Sequence, residues 1–202
     1  MLLKKLFFTF LLLLGAPALA ADTYVTLDTP QPTDVAPGKI EVLEVFWYGC
    51  PHCYDFEPHL EEWIRNKPEQ VEFKRMPGIF RESWIPHARA YYTALELGVL
   101  DSVHQPMFDA IHKKGQRLGS QAELRKLFSD NGIDESAFDR AYESDAVNDK
   151  IKKALLMGRR YQIRGVPSII INGKYLTGPS IAGSFENMLK ATNALVDKES
   201  AQ

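Results

Sequence analysis

One stretch near residue 50 restricts the possible folds more than any other part of the chain: an apolar strand that runs directly into a pair of cysteines. Residues 40–47 are rich in β-branched and aromatic side chains, which is typical of a buried central strand. Gly49 interrupts this run, and Cys50-Pro51-His52-Cys53 follows at once. Apolar residues at helical spacing then predict a helix that ends near Lys67, because Pro68 disfavours α geometry in the residue before it. The two cysteines are therefore placed where a strand turns into a helix.

The strand pattern occurs at both ends of the chain and is missing in the middle. Residues 71–75 alternate as a second strand, and residues 167–171 form another that leads into Asn172-Gly173, a two-residue hairpin signal. Residues 80–153 show helical periodicity alone, and a last helix is predicted over 180–195. We therefore predict one α/β domain made of residues 21–79 plus 154–202, interrupted by an inserted all-helical domain at 80–153.

The first 20 residues have the features of a cleaved signal peptide. Lys4 and Lys5 precede an apolar run at residues 6–14, and Ala18-Leu19-Ala20 is a small-x-small cleavage site. An uncut membrane anchor is the alternative, but nine apolar residues fall far short of the about 20 that span a bilayer. We therefore expect an exported protein in a compartment where disulfides form.

Composition excludes several functional classes. The chain has 202 residues, 45% of them hydrophobic, and a formal net charge of −2. It can therefore build a proper core, unlike a disordered chain or a small domain held by disulfides. The absence of a basic stripe argues against a nucleic-acid partner. The 2 cysteines have no second cysteine pair and no histidine pair at ligand spacing, so we expect no metal and no cofactor besides the cysteine pair.

Redox exchange explains the cysteine pair better than a structural staple, because a four-residue ring hardly constrains the unfolded chain. At the start of the predicted helix, unpaired N–H groups and the helix dipole point at Cys50 and favour its thiolate. Pro51 loses no useful hydrogen bond at the first helical position, and His52 adds a donor or a positive charge. Cys53 falls on the inward face with Leu60, where a thiol keeps a high pKa.

These positions assign different tasks to the two sulfurs. We expect Cys50 to enter mixed disulfides and Cys53 to be the resolving or attacking partner. A stabilised Cys50 thiolate favours the reduced form of the pair, so the disulfide is expected to oxidise other proteins.

Three segments then carry a resemblance to a known family. Phe46-Trp47-Tyr48-Gly49-Cys50-Pro51-His52-Cys53-Tyr54, Arg164-Gly165-Val166-Pro167 and Asn172-Gly173-Lys174-Tyr175 closely resemble the DsbA family of periplasmic thiol:disulfide oxidoreductases. The resemblance covers essentially the whole mature chain. It implies a thioredoxin fold with an inserted all-helical domain, located in the periplasm. It also implies donation of the disulfide to reduced, newly exported proteins, followed by reoxidation by a DsbB-like membrane quinone reductase.

The resemblance also implies roles for residues outside the cysteine motif. The proline matching Pro167 has a cis peptide bond in the family and packs beside the disulfide, which would present the backbone of Val166 to an extended substrate; the sequence alone equally allows an ordinary trans proline. Glu44 lies in the most apolar strand, and alternation places it on one face with Val42 and Phe46. The resemblance implies that a Glu here assists proton movement to or from the buried thiol, and a structural ion pair is the alternative.

Arg75 is predicted to point inward and stands where better-known members carry Lys. A permanently charged guanidinium favours an electrostatic role over proton transfer.

Two other functions remain open. A disulfide isomerase or reductase can use the same fold, but periplasmic isomerases are typically dimers with a separate dimerisation region, and we expect a monomer here. A non-catalytic chaperone would leave the paired thiols idle. The remaining histidines are expected to be exposed helical residues: His59, His87, His104 and His112.

Overall fold

The central strand β2 (Ile40–Phe46) is buried along its whole length, as its composition predicts. In the computed structural model, which describes residues 22–201, β2 pairs in parallel with β3 (Val71–Pro77) and antiparallel with β4 (Ser168–Ile171). Next to β4 lie β5 (Tyr175–Thr177) and then β1 (Val25–Thr26). Within the described residues the sheet has 5 strands in the order β1-β5-β4-β2-β3. The register that places Ser168 opposite Val45 brings the segment before β4 to the end of β2.

The turn between β4 and β5 forms where the sequence predicts it. Asn172 and Gly173 both have left-handed backbone angles, with φ of 49° and 65°. These values are the ones a two-residue hairpin of this type requires. A side chain at Gly173 would also collide with the backbone of Gln31. The turn therefore fixes the antiparallel pairing of β4 with β5, and β4 directly follows Val166 and Pro167.

One face of the sheet is covered by α1 (Pro51–Asn66) and α8 (Phe185–Ser200). α1 ends where Pro68 predicts. The prediction of a single last helix over 180–195 is wrong, because α7 (Pro179–Ala182) is separated from α8 by Gly183, whose φ is 82°. The apolar cluster on this face includes Val42, Phe56, Leu60, Ile169, Ile171, Met188 and Leu195.

The chain between β3 and β4 is helical, as predicted. After a 3-10 turn at Glu82–Trp84 it forms α2 (Ile85–Glu96), α3 (Leu100–His112), α4 (Gln121–Asp130), α5 (Glu135–Tyr142) and α6 (Asp145–Arg160). A capping box between Ser120 and Glu123 starts α4, as the spacing of these residues indicates. α6 runs across the boundary at residue 153, and the division into two domains stays a prediction.

The helical segment packs on the second face of the sheet and shares one apolar cluster with the cysteines. Leu43, Val45 and Ile170 contribute from the sheet, and Phe108 and Tyr91 from the helices. The predicted signal peptide, residues 1–20, lies outside the described residues. Within 22–201, none of the helices is both long and apolar enough to cross a membrane.

Candidate active site

The cysteine motif sits at the junction of β2 and α1. Cys50 is the N-cap of α1, with extended backbone angles (φ −89°, ψ 118°), and Pro51 starts the helix. The Cys50 N–H donates to the Trp47 carbonyl at 2.9 Å, which closes the turn after the strand. Cys53 is completely buried one turn further on. Both cysteines are free thiols.

The two thiols have opposite electrostatic environments. A hydrogen bond from the Cys53 thiol, supported by the backbone N–H groups of Cys53 and His52, lowers the pKa of Cys50 from 9.0 to about 6 against the opposing effect of burial. The charge of His52 adds a smaller part, from an exposed position. Burial raises the pKa of Cys53 well above 9.0, and hydrogen bonding to Cys50 raises it further. Near neutral pH the pair is therefore a thiolate at Cys50 and a thiol at Cys53.

The segment before β4 contacts the reactive sulfur. The Val166–Pro167 peptide bond is cis, as the resemblance implies. The Cys50 sulfur lies 3.4 Å from the Val166 carbonyl oxygen. Gly78, just after β3, leaves little room beside Val166: an added methyl group would lie 3.1 Å from the Val166 side chain. The fold thus brings Cys50, Cys53, Val166 and Pro167 together.

A group of carboxylates converges on Arg75 below the cysteines. Its guanidinium donates to Glu44 at 3.0 Å, to Glu57 at 3.2 Å and to Glu61 at 2.7 Å. Glu44 and Glu57 are buried, with 0% and 3% of their surface exposed. Burial, with the nearby charge of Glu57, raises the pKa of Glu44 to about 8 although Arg75 opposes this. The charges of Glu44 and Glu57 outweigh burial and raise the pKa of Arg75.

The sequence did not single out Glu57 or Glu61. A signal for Glu57 was available: it lies four residues after Cys53, so a helix places both on the same inward face. The prediction that alternation turns Arg75 inward agrees with its 12% side-chain exposure. The contact between Glu44 and Arg75 agrees with the ion pair, one of the two roles expected for Glu44. The raised pKa of Glu44 is consistent with the other expected role, assistance to proton movement.

The expectation of exposed histidines is wrong for three of the four, two of which are buried. His87 and His104 are buried, at 5% and 8% exposure. His87 bonds to the Arg117 carbonyl at 3.0 Å, and burial lowers its pKa. His104 is 2.8 Å from the Tyr48 hydroxyl. Their hydrogen-bond partners lie 30 and 56 residues away in sequence, so a local pattern could not reveal these partners. A signal for the burial of His104 was available, because it stands four residues before Phe108 on the same face of α3.

His112 is also not fully exposed. Its ring lies 2.7 Å from the Tyr48 carbonyl and stacks on Tyr54. His59 alone is exposed as expected.

An aromatic stack lies beside the cysteine turn. The rings of Trp47 and Trp84 are 3.9 Å apart and nearly parallel, and Phe80 packs against Trp84 from an exposed position. Gly49 allows this arrangement, because a methyl group there would collide with the Trp47 ring. The stack adds an apolar wall near Cys50.

The site is suited to thiol exchange. Within residues 22–201, no group of three or more His, Cys, Asp or Glu side chains is placed to hold a metal ion. A stabilised thiolate next to a buried thiol is the arrangement that disulfide exchange requires.

Comparison with known protein families shows to which family the chain belongs. A family model described as DSBA-like thioredoxin domain matches residues 41–190. The chain belongs to the DsbA family. The thiol:disulfide interchange protein DsbA of Azotobacter vinelandii is 44% identical over 176 residues, which cover 87% of this chain and 82% of that protein. The DsbA of Pseudomonas aeruginosa PAO1 is 40% identical over 182 residues, covering 90% and 86%.

Solved DsbA structures agree with the fold. The crystal structure of Pseudomonas aeruginosa DsbA matches with a TM-score of 0.85 at 39% identity, covering 89% of this chain and 93% of that chain. The oxidoreductase DsbA from Xylella fastidiosa matches with a TM-score of 0.84 at 33% identity, covering 92% and 99%. The predicted thioredoxin-like fold of the DsbA type is confirmed, and the chain is a thiol:disulfide oxidoreductase.

Proposed function

We propose that this member of the DsbA family is a periplasmic disulfide oxidase that donates its Cys50–Cys53 disulfide to reduced, newly exported proteins. The observation that carries the proposal is the contrast between the two thiols. The pKa of Cys50 is lowered to about 6, whereas burial raises the pKa of Cys53. Stabilising the Cys50 thiolate favours the reduced form of the pair and drives electrons from the substrate to the enzyme.

The reaction consists of two exchanges. A substrate thiolate attacks the Cys50 sulfur, forms a mixed disulfide and releases Cys53 as a thiolate, which takes up a proton. A second substrate thiolate attacks the substrate sulfur of the mixed disulfide and releases Cys50 as a thiolate. The substrate has then lost two electrons and gained a disulfide, and the enzyme holds the reduced pair.

The groups around Cys50 have separate tasks in this proposal. Pro51 starts α1 and leaves the first N–H groups directed at the sulfur, and His52 stabilises the leaving thiolate from the solvent side. Pro167 packs beside the disulfide. The backbone of Val166, whose carbonyl lies 3.4 Å from the Cys50 sulfur, pairs with an extended substrate segment.

Glu44 and Arg75 act on the buried sulfur. Cys53 leaves the disulfide as a thiolate in an apolar site, so it needs a proton. With a pKa raised to about 8, Glu44 is mostly protonated at neutral pH and is suited to supply it. Arg75 stays charged and holds the carboxylates in place, which is an electrostatic role.

Family membership supports the rest of the cycle. We infer that a DsbB-like membrane quinone reductase reoxidises the pair, and that residues 1–20 direct export and are cleaved. No cofactor besides the cysteine pair takes part. We expect the enzyme to work as a monomer.

Oxidation of a reduced model substrate tests the proposal. The oxidised protein should form disulfides in reduced ribonuclease, and Cys50→Ala should abolish this activity while peptide binding is retained. Titration against glutathione buffers should show a pair that is more oxidising than glutathione. A potential as reducing as that of thioredoxin would instead indicate a reductase, and retained activity in Cys50→Ala would contradict the assigned nucleophile.

A further inference from the structure

Helix α3 holds the active-site turn through three residues on one of its faces. His104 lies 2.8 Å from the Tyr48 hydroxyl, and His112 lies 2.7 Å from the Tyr48 carbonyl. Between them, Phe108 packs edge-on against the Tyr48 ring at 4.9 Å. Tyr48 precedes Cys50 by only two residues. The helical insertion therefore contacts the redox turn through polar side chains as well as through apolar packing.

The free nitrogen of His104 faces a buried carboxylate. Its Nε2 atom lies 3.5 Å from Oε1 of Glu57. Among the described residues, both atoms are buried and neither has a hydrogen-bond partner. The distance is slightly long for a hydrogen bond, but two buried polar atoms that face each other without other partners favour an N–H directed at the oxygen. The Tyr48 hydroxyl can donate to Nδ1, which leaves the ring proton on Nε2.

This contact distinguishes the two buried carboxyl groups that share Arg75. If Glu44 and Glu57 were both ionised, one guanidinium would have to neutralise two buried charges and the half-exposed Glu61, so a shared proton is favoured. Oε1 of Glu57 has His104 beside it. Oε1 of Glu44 has no hydrogen-bond partner within residues 22–201. A carboxylate with an additional donor stays ionised more readily than one without.

We propose that His104 is a positioning residue that directs an N–H to Glu57, stabilises the charge of that carboxylate and thereby leaves the shared proton on Glu44. The inference rests on the proposed function for its consequence: Glu44 then holds the proton that Cys53 takes up when the disulfide opens. The groups facing His104 are Glu57 from α1, Tyr48 from the active-site turn and the Tyr91 ring from α2. Beyond Glu57, Glu44 is faced by Arg75, Glu61, Cys53 and the hydroxyl groups of Tyr48 and Tyr91.

The direct test is the titration of Glu44 in the reduced protein, followed by carboxyl carbon NMR. We expect a midpoint near pH 8 in the unchanged protein. In His104→Leu the proton moves towards Glu57, and the Glu44 midpoint should fall by about one pH unit, a tenfold change in the proton equilibrium. His104→Gln retains an N–H at the corresponding place and should restore the midpoint. His87→Leu removes another buried histidine that does not touch the carboxylates and should leave the midpoint unchanged.

A kinetic measurement gives the consequence for the reaction. The rate at which glutathione opens the disulfide should fall about twofold at pH 7 and about fivefold at pH 8 in His104→Leu, following the protonated fraction of Glu44. In a Glu57→Gln background, His104→Leu should cause no further change, because the two residues act through one contact.

Several results would overturn the inference. An unchanged Glu44 midpoint in His104→Leu, no restoration by His104→Gln, or independent and additive shifts with Glu57→Gln would each contradict it. The NMR titration needs no substrate and does not depend on the direction of exchange. If the protein fails to oxidise substrates while His104 still moves the Glu44 midpoint, only the proposed function is wrong.

Discussion

The lowered pKa of Cys50 predicts that the stability difference between the reduced and oxidised forms depends on pH. The Cys50 thiol has a pKa of about 6 in the folded reduced protein, against 9.0 without the surrounding groups. A depressed folded-state pKa stabilises the folded protein above the unfolded value, and this contribution is lost as pH falls through the folded value. The reduced protein should therefore gain stability over the oxidised protein from pH 6 upward. The oxidised protein has no Cys50 thiol and therefore does not gain this stability as the pH rises.

The size of the effect follows from the two pKa values. Linkage gives about 0.4 kcal/mol at pH 6, about 1.4 kcal/mol at pH 7 and about 2.7 kcal/mol at pH 8. These are upper limits, because solvent screens a sulfur at the helix end, and we expect about half of each figure. A change of about 1 kcal/mol corresponds to about 2–4 °C in Tm for a protein of this size.

Thermal unfolding of both forms at several pH values between 5.5 and 8.5 measures this difference. Titrations common to both forms cancel in the difference, and the entropy of the four-residue ring does not depend on pH. Above pH 9 the unfolded chain would also ionise Cys53, whose folded pKa is raised, so the range must stop below it. Cys50→Ser, which forms no disulfide, is the control for the reduced form: a serine hydroxyl does not titrate in this range, so the stability of this variant should lack the gain that the reduced protein shows above pH 6. A stability difference that stays constant or shrinks between pH 6 and pH 8 would refute the reasoning.

Three further changes have defined outcomes. Arg75→Leu leaves buried carboxylates without their cation, so urea unfolding should show that the free energy of unfolding falls by about 3–5 kcal/mol at pH 8. The fall should be smaller at pH 5, where carboxyl groups protonate, and an equal fall at both pH values would contradict the charge argument. Gly49→Ala should displace Trp47, lower stability by about 1–3 kcal/mol and change the near-UV circular dichroism, whereas Gly119→Ala, which has open space around it, should do neither. Cys53→Ala mixed with oxidised glutathione should accumulate a mixed disulfide at Cys50, visible by mass spectrometry, because Cys50 displaces one glutathione and no Cys53 thiol is present to displace the other. Failure to accumulate it would argue against Cys53 as the resolving thiol.

Local sequence signals were sufficient for most of the fold and for the cysteine motif. The strand, the glycine and Pro51 predict a helix that begins at the cysteines, and this depends only on neighbouring residues. The capping box of α4 and the Asn172-Gly173 turn are equally local. The break between α7 and α8 had a signal too, since Gly183 and the capping residue Ser184 stand together, but the apolar periodicity on both sides obscured it.

The polar network under the cysteines was harder to predict because its members come from distant elements. Arg75 lies in β3, Glu57 in α1 and His104 in α3, and only the folded chain brings them together. A histidine on a helix is usually exposed, and periodicity alone does not show that a facing element will cover it. The resemblance to the DsbA family indicated Glu44 but gave no reason to consider His104.

The helical segment between β3 and β4 therefore contributes contacts to the site as well as covering it. Cys50 and Cys53 are positioned by the β2–α1 corner, and Val166 and Pro167 by the pairing of β4 with β2. Arg75 of β3 donates to one oxygen of Glu57. Helix α3, which also contacts the turn at Tyr48, places His104 Nε2 3.5 Å from the other oxygen. Because buried charges interact more strongly than exposed ones, a small shift of α3 would change the proton distribution below Cys53 more than a similar shift on the surface. Substitutions in the α3 interface should thus alter the pH dependence of disulfide exchange even where they leave the cysteine motif untouched.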